Sequence, residues 1–399
     1  MNGKILKPQK AKATRFGTIN LNVSVLSSLF AVVVGLLIGF VILLVSNPSQ
    51  ALAAFMAILI GPLKGGMVSI GNVLYYSMPI IMTGLSVGFA FKTGLFNIGA
   101  SGQFIVGAYG AVLVGVTCTF LGPVHWLAAL ITAVVFGSLW AGVVGVLKAY
   151  ANVNEVITSI MMNYLGMLLV NYLVVKTVYN SLKNQSLDIP PSAVIPDMGL
   201  NYLFGNSHVN GGIFIAVLAV VVMHIVLNKT TFGFEQKAVG YNREASRYAG
   251  INEKRSIVLS MMIAGALSGL GGGLLYLAGT GKCIHVVEVL AAEGFTGISV
   301  ALLGLSTPIG VLLAGLFIGY ITLSGFNMQL FNFAPEIIDI IKAVIIYFSA
   351  FALIFKGIIN NRNAKILHQE EMLERERQAA ALSTAAADSP QNAERGNSK

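Results

Sequence analysis

Charge is what this sequence has least of. Of 399 residues, 10% are Asp, Glu, Lys or Arg, whereas a soluble domain of this length carries about 25%. Such a chain cannot wrap itself in a solvated surface, and the bilayer is its natural solvent. Cysteine is nearly absent too. Cys118 and Cys283 are the two present; they leave room for one disulfide, which nothing in the sequence supports, and for no Cys-based metal spacing. The chain has no Walker A motif, no H-E-x-x-H and no G-x-S-x-G, so ATP hydrolysis by a P-loop, zinc proteolysis and serine hydrolysis find no support. "AGTGKC" (278–283) lacks the first glycine of a phosphate loop and has Cys where Ser or Thr belongs. The five histidines are scattered. The first apolar run, 23–46, is too long for a signal-peptide core and no small-x-small cleavage site follows it.

What the chain does have is apolar length. Hydrophobic residues make up 56%, mean hydropathy is +0.79, and there are 44 glycines. Crossing ~30 Å of hydrocarbon at 1.5 Å per residue takes about 20 residues. Ten runs qualify: 23–46, 66–90, 95–117, 124–147, 155–176, 211–228, 257–280, 287–304, 307–325 and 337–355. The expected fold is an all-α integral membrane protein of about ten spans. The run 51–61 is too short to cross and is expected as an interfacial helix on the outside. "AGALSGLGGG" spaces Gly265, Gly269 and Gly273 four apart, which lets a second helix approach closely.

The few charges are clustered: 27 of the 41 lie in residues 1–22, 229–255 and 356–399. With the N-terminus inside, the inner connections carry Lys92, Lys148 and the six basic residues of 229–255. The outer ones carry Lys64, Lys176, Lys183 and Lys282. Loop lysines and arginines favour the cytoplasm, so both termini are expected inside. The basic excess follows from topology and implies no nucleic acid. The resulting layout is a basic cytoplasmic arm (1–22), a transmembrane domain (23–355) and a cytoplasmic tail (356–399), partly helical and then disordered. Residues 177–210 form the long external loop, where the prolines of "DIPPSAVIPDMG" oppose helix.

The cytoplasmic insert 229–256 is longer than a simple connection needs. Within "NREASRYAG", Asn242 is placed to cap a two-turn helix and Gly250 to end it. Arg243, Glu244 and Arg247 are expected to face water, with Ala245, Tyr248 and Ala249 turned elsewhere. A basic helix lying on the membrane surface would explain the composition equally well. Within the spans, charges are few and near the ends (Glu155, Glu288, Glu293, Asp339, Lys342). No deep carboxylate pair suggests proton coupling. The neutral polar residues Asn97, Ser101, Gln103, Thr158, Asn163, Thr296 and Ser299 can match an uncharged solute rich in donors and acceptors. Phe104, Tyr164 and Phe295 can stack on a base. Each has a plainer reading as interhelical bonding or packing.

"AVGYNREASRYAGINEKR" (238–255) resembles the coupling segment of ABC importer permeases that serve branched-chain amino acids, simple sugars and nucleosides; Gly240, Asn242, Ala245, Gly250 and Ile251 match, and Ser246 replaces an alanine. "FKTGLFNIGASGQFIVGAYGA" (91–111) is similar to the nucleoside branch at Phe96, Asn97, Ile98, Gly99, Gly102, Gln103 and Gly107. "NEVITSIMMNYLG" (154–166) and "AAEGFTGISVALLGLSTPIG" (291–310) resemble it as well. The likeness runs from the second span to the tenth. It implies a permease subunit of a nucleoside importer in a bacterial cytoplasmic membrane, working by alternating access. Gly240, Asn242, Arg243, Glu244, Ala245, Arg247, Gly250 and Ile251 would engage a separate ATPase subunit, which would use the ATP and Mg while this chain binds no cofactor. The other implied partners are an extracytoplasmic nucleoside-binding lipoprotein and a second, homologous permease. The alternatives are a permease for ribose or a galactoside and an ion-coupled secondary transporter.

Overall fold

The computed structural model describes residues 29–30, 32–334, 336–345, 347–348, 361–362, 369 and 372–373. The chain divides into two compact units, Met1–Phe30 with Phe351–Lys399, and Ala31–Ala350. The first is helical wherever it is described. The basic arm and most of the tail expected from the sequence lie outside the described residues. The second unit, Ala31–Ala350, holds the other described residues.

It is a bundle of helices: α1 (Val32–Ser46), α2 (Ala51–Lys64), α3 (Gly66–Lys92), α4 (Ala100–Thr117), α5 (His125–Ala151), α6 (Glu155–Thr177), α7 (Leu200–Phe204), α8 (Gly212–Lys229), α9 (Thr231–Tyr241), α10 (Arg243–Tyr248), α11 (Glu253–Tyr276), α12 (Ala292–Leu303), α13 (Pro308–Met328) and α14 (336–345). Among the described residues, seven helices are long and apolar enough to cross a membrane: α3, α4, α5, α6, α8, α11 and α13. A two-residue hairpin pairs Tyr179–Asn180 with Gln185–Ser186 in the loop after α6.

The centre of the bundle is α11 pressed between α4 and α5. A Cβ on Gly265 would lie 2.2 Å from the Gly137 carbonyl oxygen, one on Gly269 would lie 2.4 Å from that of Ala133, and one on Gly107 would lie 2.3 Å from Gly269 Cα. Backbone therefore touches backbone on two sides of α11, as the glycine spacing predicts. On the outside, α5 shows Leu127, Ile131, Val135, Leu139 and Val143, and α8 shows Phe214, Leu218, Val221, Val222 and Ile225. Continuous apolar faces of this kind are unsustainable in water and normal against lipid.

One segment differs from expectation, and another, too short to cross as expected, packs against the bundle. The run at 51–61 is part of a helix packed along α13, burying Ala51, Ala54, Ile58 and Pro62. The Tyr320 hydroxyl donates to the Leu59 carbonyl (2.6 Å) and that of Ser324 to the Ile58 carbonyl (3.0 Å). The expected span at 287–304 is helical only from Ala292. Before it, the valine-rich stretch is tied to the external loop instead, since Val286 N–H donates to the Asn184 carbonyl at 3.0 Å.

Candidate coupling surface and polar pathway

Short side chains cap each turn of the insert between α8 and α11. Thr230 Oγ1 accepts from Gly233 N–H (3.1 Å) to start α9. Asn242 Oδ1 accepts from Ala245 N–H (3.0 Å) to start α10, and Ser246 Oγ returns a bond to the Asn242 carbonyl (2.8 Å). Gly250, at φ +83°, reverses the chain so that Ile251 N–H reaches the Ser246 carbonyl. Asn252 then caps α11.

The orientation of α10 departs from expectation at Arg243 alone, while Glu244 and Arg247 are exposed as expected. Ser246 is its buried residue, and Arg243 is half-buried. Ala245, Ala249 and Tyr248 are in the open, Tyr248 at 94% and Tyr241 at 90% exposure. Two bare tyrosines beside Glu244 and Arg247 form the kind of aromatic and charged patch that soluble partners bind. The insert is also anchored to the bundle. A Cβ on Gly240 would lie 2.7 Å from the Thr93 carbonyl carbon, and one on Gly94 (φ +74°) 2.6 Å from Gly240 Cα. The end of α9 thus rests directly on the turn between α3 and α4.

Just past that turn the structure gathers Asn97, Ser101, Gln103 and Asn163. Asn97 Nδ2 donates to Ser86 Oγ (3.2 Å) and Gln103 Oε1 (2.9 Å), while its Oδ1 accepts from Gln103 Nε2 (2.9 Å) and Gly99 N–H (3.1 Å). Asn163 on α6 accepts from Gly102 N–H (2.8 Å) and donates to the Ile98 carbonyl (3.0 Å). Ser101 Oγ donates to the Ala291 carbonyl (2.8 Å). All four are buried, so in this conformation their groups join α3, α4, α6 and the approach to α12. Thr158, half-buried, bonds the Asn154 carbonyl one turn back and stands apart. On α12, Thr296 is half-buried and Ser299 buried; each bonds back along its own helix. Of the aromatic candidates, Tyr164 and Phe295 are exposed, whereas Phe104 is sealed in the core with Tyr75 and Met78.

At the far end of α11, about 35 Å from the insert at 1.5 Å per residue, lies a cavity of ≈ 370 Å³. Its lining includes Asp188, Tyr276, Gly279, Lys282 and Cys283. Lys282 Nζ stands 3.7 Å from Glu293 Oε1, and the hydroxyls of Tyr75 and Thr280 meet at 3.1 Å. Sequence reading missed this site because its walls come from two segments almost ninety residues apart. Cys118 and Cys283 are both free. Burial, followed by the Asp188 carboxylate that accepts the thiol's hydrogen bond (3.2 Å), pushes the Cys283 pKa up to about 11. The thiolate is the reactive form, so at neutral pH Cys283 should stay unmodified by iodoacetamide. Labelling followed by mass spectrometry should show modification growing as pH approaches 11, with Cys118 reacting first.

A family profile described as "Branched-chain amino acid transport system / permease component" matches residues 69–350. The chain is 41% identical over 325 residues to the guanosine ABC transporter permease protein NupP of Bacillus subtilis (strain 168), covering 81% of this chain and 92% of the relative. It is 36% identical over 351 residues to the nucleoside ABC transporter permease protein NupB of Lactococcus lactis subsp. cremoris (strain MG1363), covering 85% and 94%. It is 34% identical over 297 residues to the glucose ABC transporter permease protein TsgB13 of Haloferax volcanii, covering 71% and 77%. No solved structure matches it. Because the profile runs from the first turn of α3 through α14 and includes the insert between α8 and α11, the chain belongs to the permease components of the branched-chain amino acid transport system family, and is a multi-pass protein of the cytoplasmic membrane serving an ABC transporter that also needs an ATPase and a substrate-binding partner.

Proposed function

We propose that this chain is the permease subunit of a nucleoside importer. The observation that carries the reading is that relatives named for guanosine and nucleoside transport align over more than four-fifths of the chain. An extracytoplasmic nucleoside-binding lipoprotein delivers the solute, and two permeases, this one and a homologous second, form the path between them. The chain crosses the membrane ten times with both termini inside. The ATPase grips residues 240–251 and uses ATP and Mg, while this chain catalyses no reaction and binds no cofactor. Capped, exposed α10 supports that grip. ATP-driven closure of the ATPase switches which side of the path is open.

The glucose-named relative makes a simple sugar the competing cargo. In the complete complex reconstituted in liposomes, excess guanosine should suppress uptake of labelled uridine, and excess ribose or glucose should leave it unchanged. Suppression by the sugars alone would assign the complex to sugars. Uptake by this chain alone, driven by an ion gradient, would make it a secondary transporter.

A further inference from the structure

The chain's regular structure is broken ahead of α12. That helix has 12 residues, about 18 Å, and cannot cross ~30 Å of hydrocarbon. Its beginning is inside the bundle. The Thr83 hydroxyl donates to the Glu293 carbonyl (2.9 Å), Ser101 Oγ donates to the Ala291 carbonyl (2.8 Å), and Ser268 Oγ donates to the neighbouring Ala100 carbonyl (2.7 Å). Thr83 and Ser268 each lie within four residues of the middle of α3 and α11, or about 6 Å along the axis. Residues 287–291, neither helix nor strand, therefore descend into the membrane. Near their top, the Val287 carbonyl accepts from Asn171 on α6 (2.9 Å), six residues before that helix ends.

The backbone N–H groups of Glu288, Val289, Leu290 and Ala291 find no hydrogen-bond partner among the described residues. Val289 is 72% exposed, Glu288 is exposed as well, and Ala291 offers the helix no side-chain cap. Lipid supplies no acceptor, so irregular backbone at this depth survives only where protein covers it or water fills a cavity. The exposed Glu288 carboxylate at the upper end of the same stretch adds a second reason, since a charge there needs water within reach.

We propose that residues 287–296 form the wall of the solute path in this subunit, and that Glu288 is the acceptor that meets the hydroxyls of the passing solute. A carboxylate has two acceptor oxygens and no donor, which suits the adjacent hydroxyls of a ribose. The role of Glu288 rests on the nucleoside reading; the wall itself does not.

The test uses the complete complex in liposomes, with Cys118→Ser removing the more accessible native thiol. In that background Val289→Cys is compared with Leu218→Cys, which sits on the apolar outer face of α8. A charged, membrane-impermeant thiosulfonate should modify Val289→Cys about tenfold faster or more, because only thiols in contact with water ionise and react. Excess guanosine should slow that reaction. Equal rates at both positions would mean that lipid or the second permease covers the stretch, and would overturn the wall. Ala292→Cys replaces Val289→Cys if the latter inserts poorly. Glu288→Gln should raise the KM for uridine uptake about tenfold, the effect of losing a charge-assisted hydrogen bond, with Vmax retained. An unchanged KM would remove Glu288 from the path. If the unaltered complex moves no nucleoside, the cargo reading fails, while the labelling rates still decide the wall.

Discussion

Replacing Arg243 and Arg247 together by glutamate, with Glu244 replaced by lysine, is expected to abolish uptake while leaving the protein inserted in the membrane. None of the three forms an ion pair among the described residues; Arg243 does act at longer range on the Glu155 carboxylate, so Glu244→Lys with Arg247→Glu is the control that leaves that pair intact. Glu244 and Arg247 are exposed on α10 and Arg243 is half-buried beside them. A docked ATPase would instead meet every charge reversed. Like-charge contacts at an interface cost several kcal/mol, and every 1.4 kcal/mol is tenfold in affinity, so association should weaken by about a hundredfold or more. Co-purification of the ATPase measures this directly, and nucleoside-stimulated ATP hydrolysis reports the coupling. Unaltered uptake by the triple variant would remove α10 from the coupling role.

The second large effect is on assembly. Gly269→Val should leave little correctly folded protein, and Gly269→Ala should fall between it and the parent. The added Cβ meets the Ala133 carbonyl oxygen at 2.4 Å and Gly137 Cα at 3.0 Å, with Gly107 closing in from α4. Overpacking a core typically costs about 1–3 kcal/mol when side chains can shift. Here the obstruction is backbone on both sides, so three helices must separate and the cost should exceed that range. The monodisperse fraction after detergent extraction, followed through thermal denaturation, measures it. A valine variant as stable as the parent would show that α4, α5 and α11 do not need this contact.

Hydropathy located the long helices well, because length and apolarity are what lipid demands of a span. The caps at Asn242 and Gly250 and the close approach at Gly265 and Gly269 were also visible, since each depends on a residue type with few substitutes. The break at 287–291 was not. A hydropathy window registers Val286, Val287 and Val289 as apolar and takes no account of where their N–H groups go. The amides of Asn97, Gln103 and Asn163 were visible as residues but not as partners of one another. A buried staple and a solute contact use the same chemical groups, and only the fold separates them. The half-burial of Arg243, expected to face water, was not visible, because six residues make too short a helix for periodicity to show which face has a neighbour. The far cavity depends on Asp188 meeting residues 276–283, a pairing that no local pattern announces.

The abutment of Gly240 on Thr93 and Gly94 has a mechanical consequence. Two main chains in van der Waals contact have no rotamers between them to absorb displacement. Any shift at the end of α9 must be taken up at once by the elbow joining α3 to α4, and that elbow is bolted through Asn97 and Gln103 to the interior. The end of α9 has no idle travel: it either moves with the two helices it rests on or stays still with them.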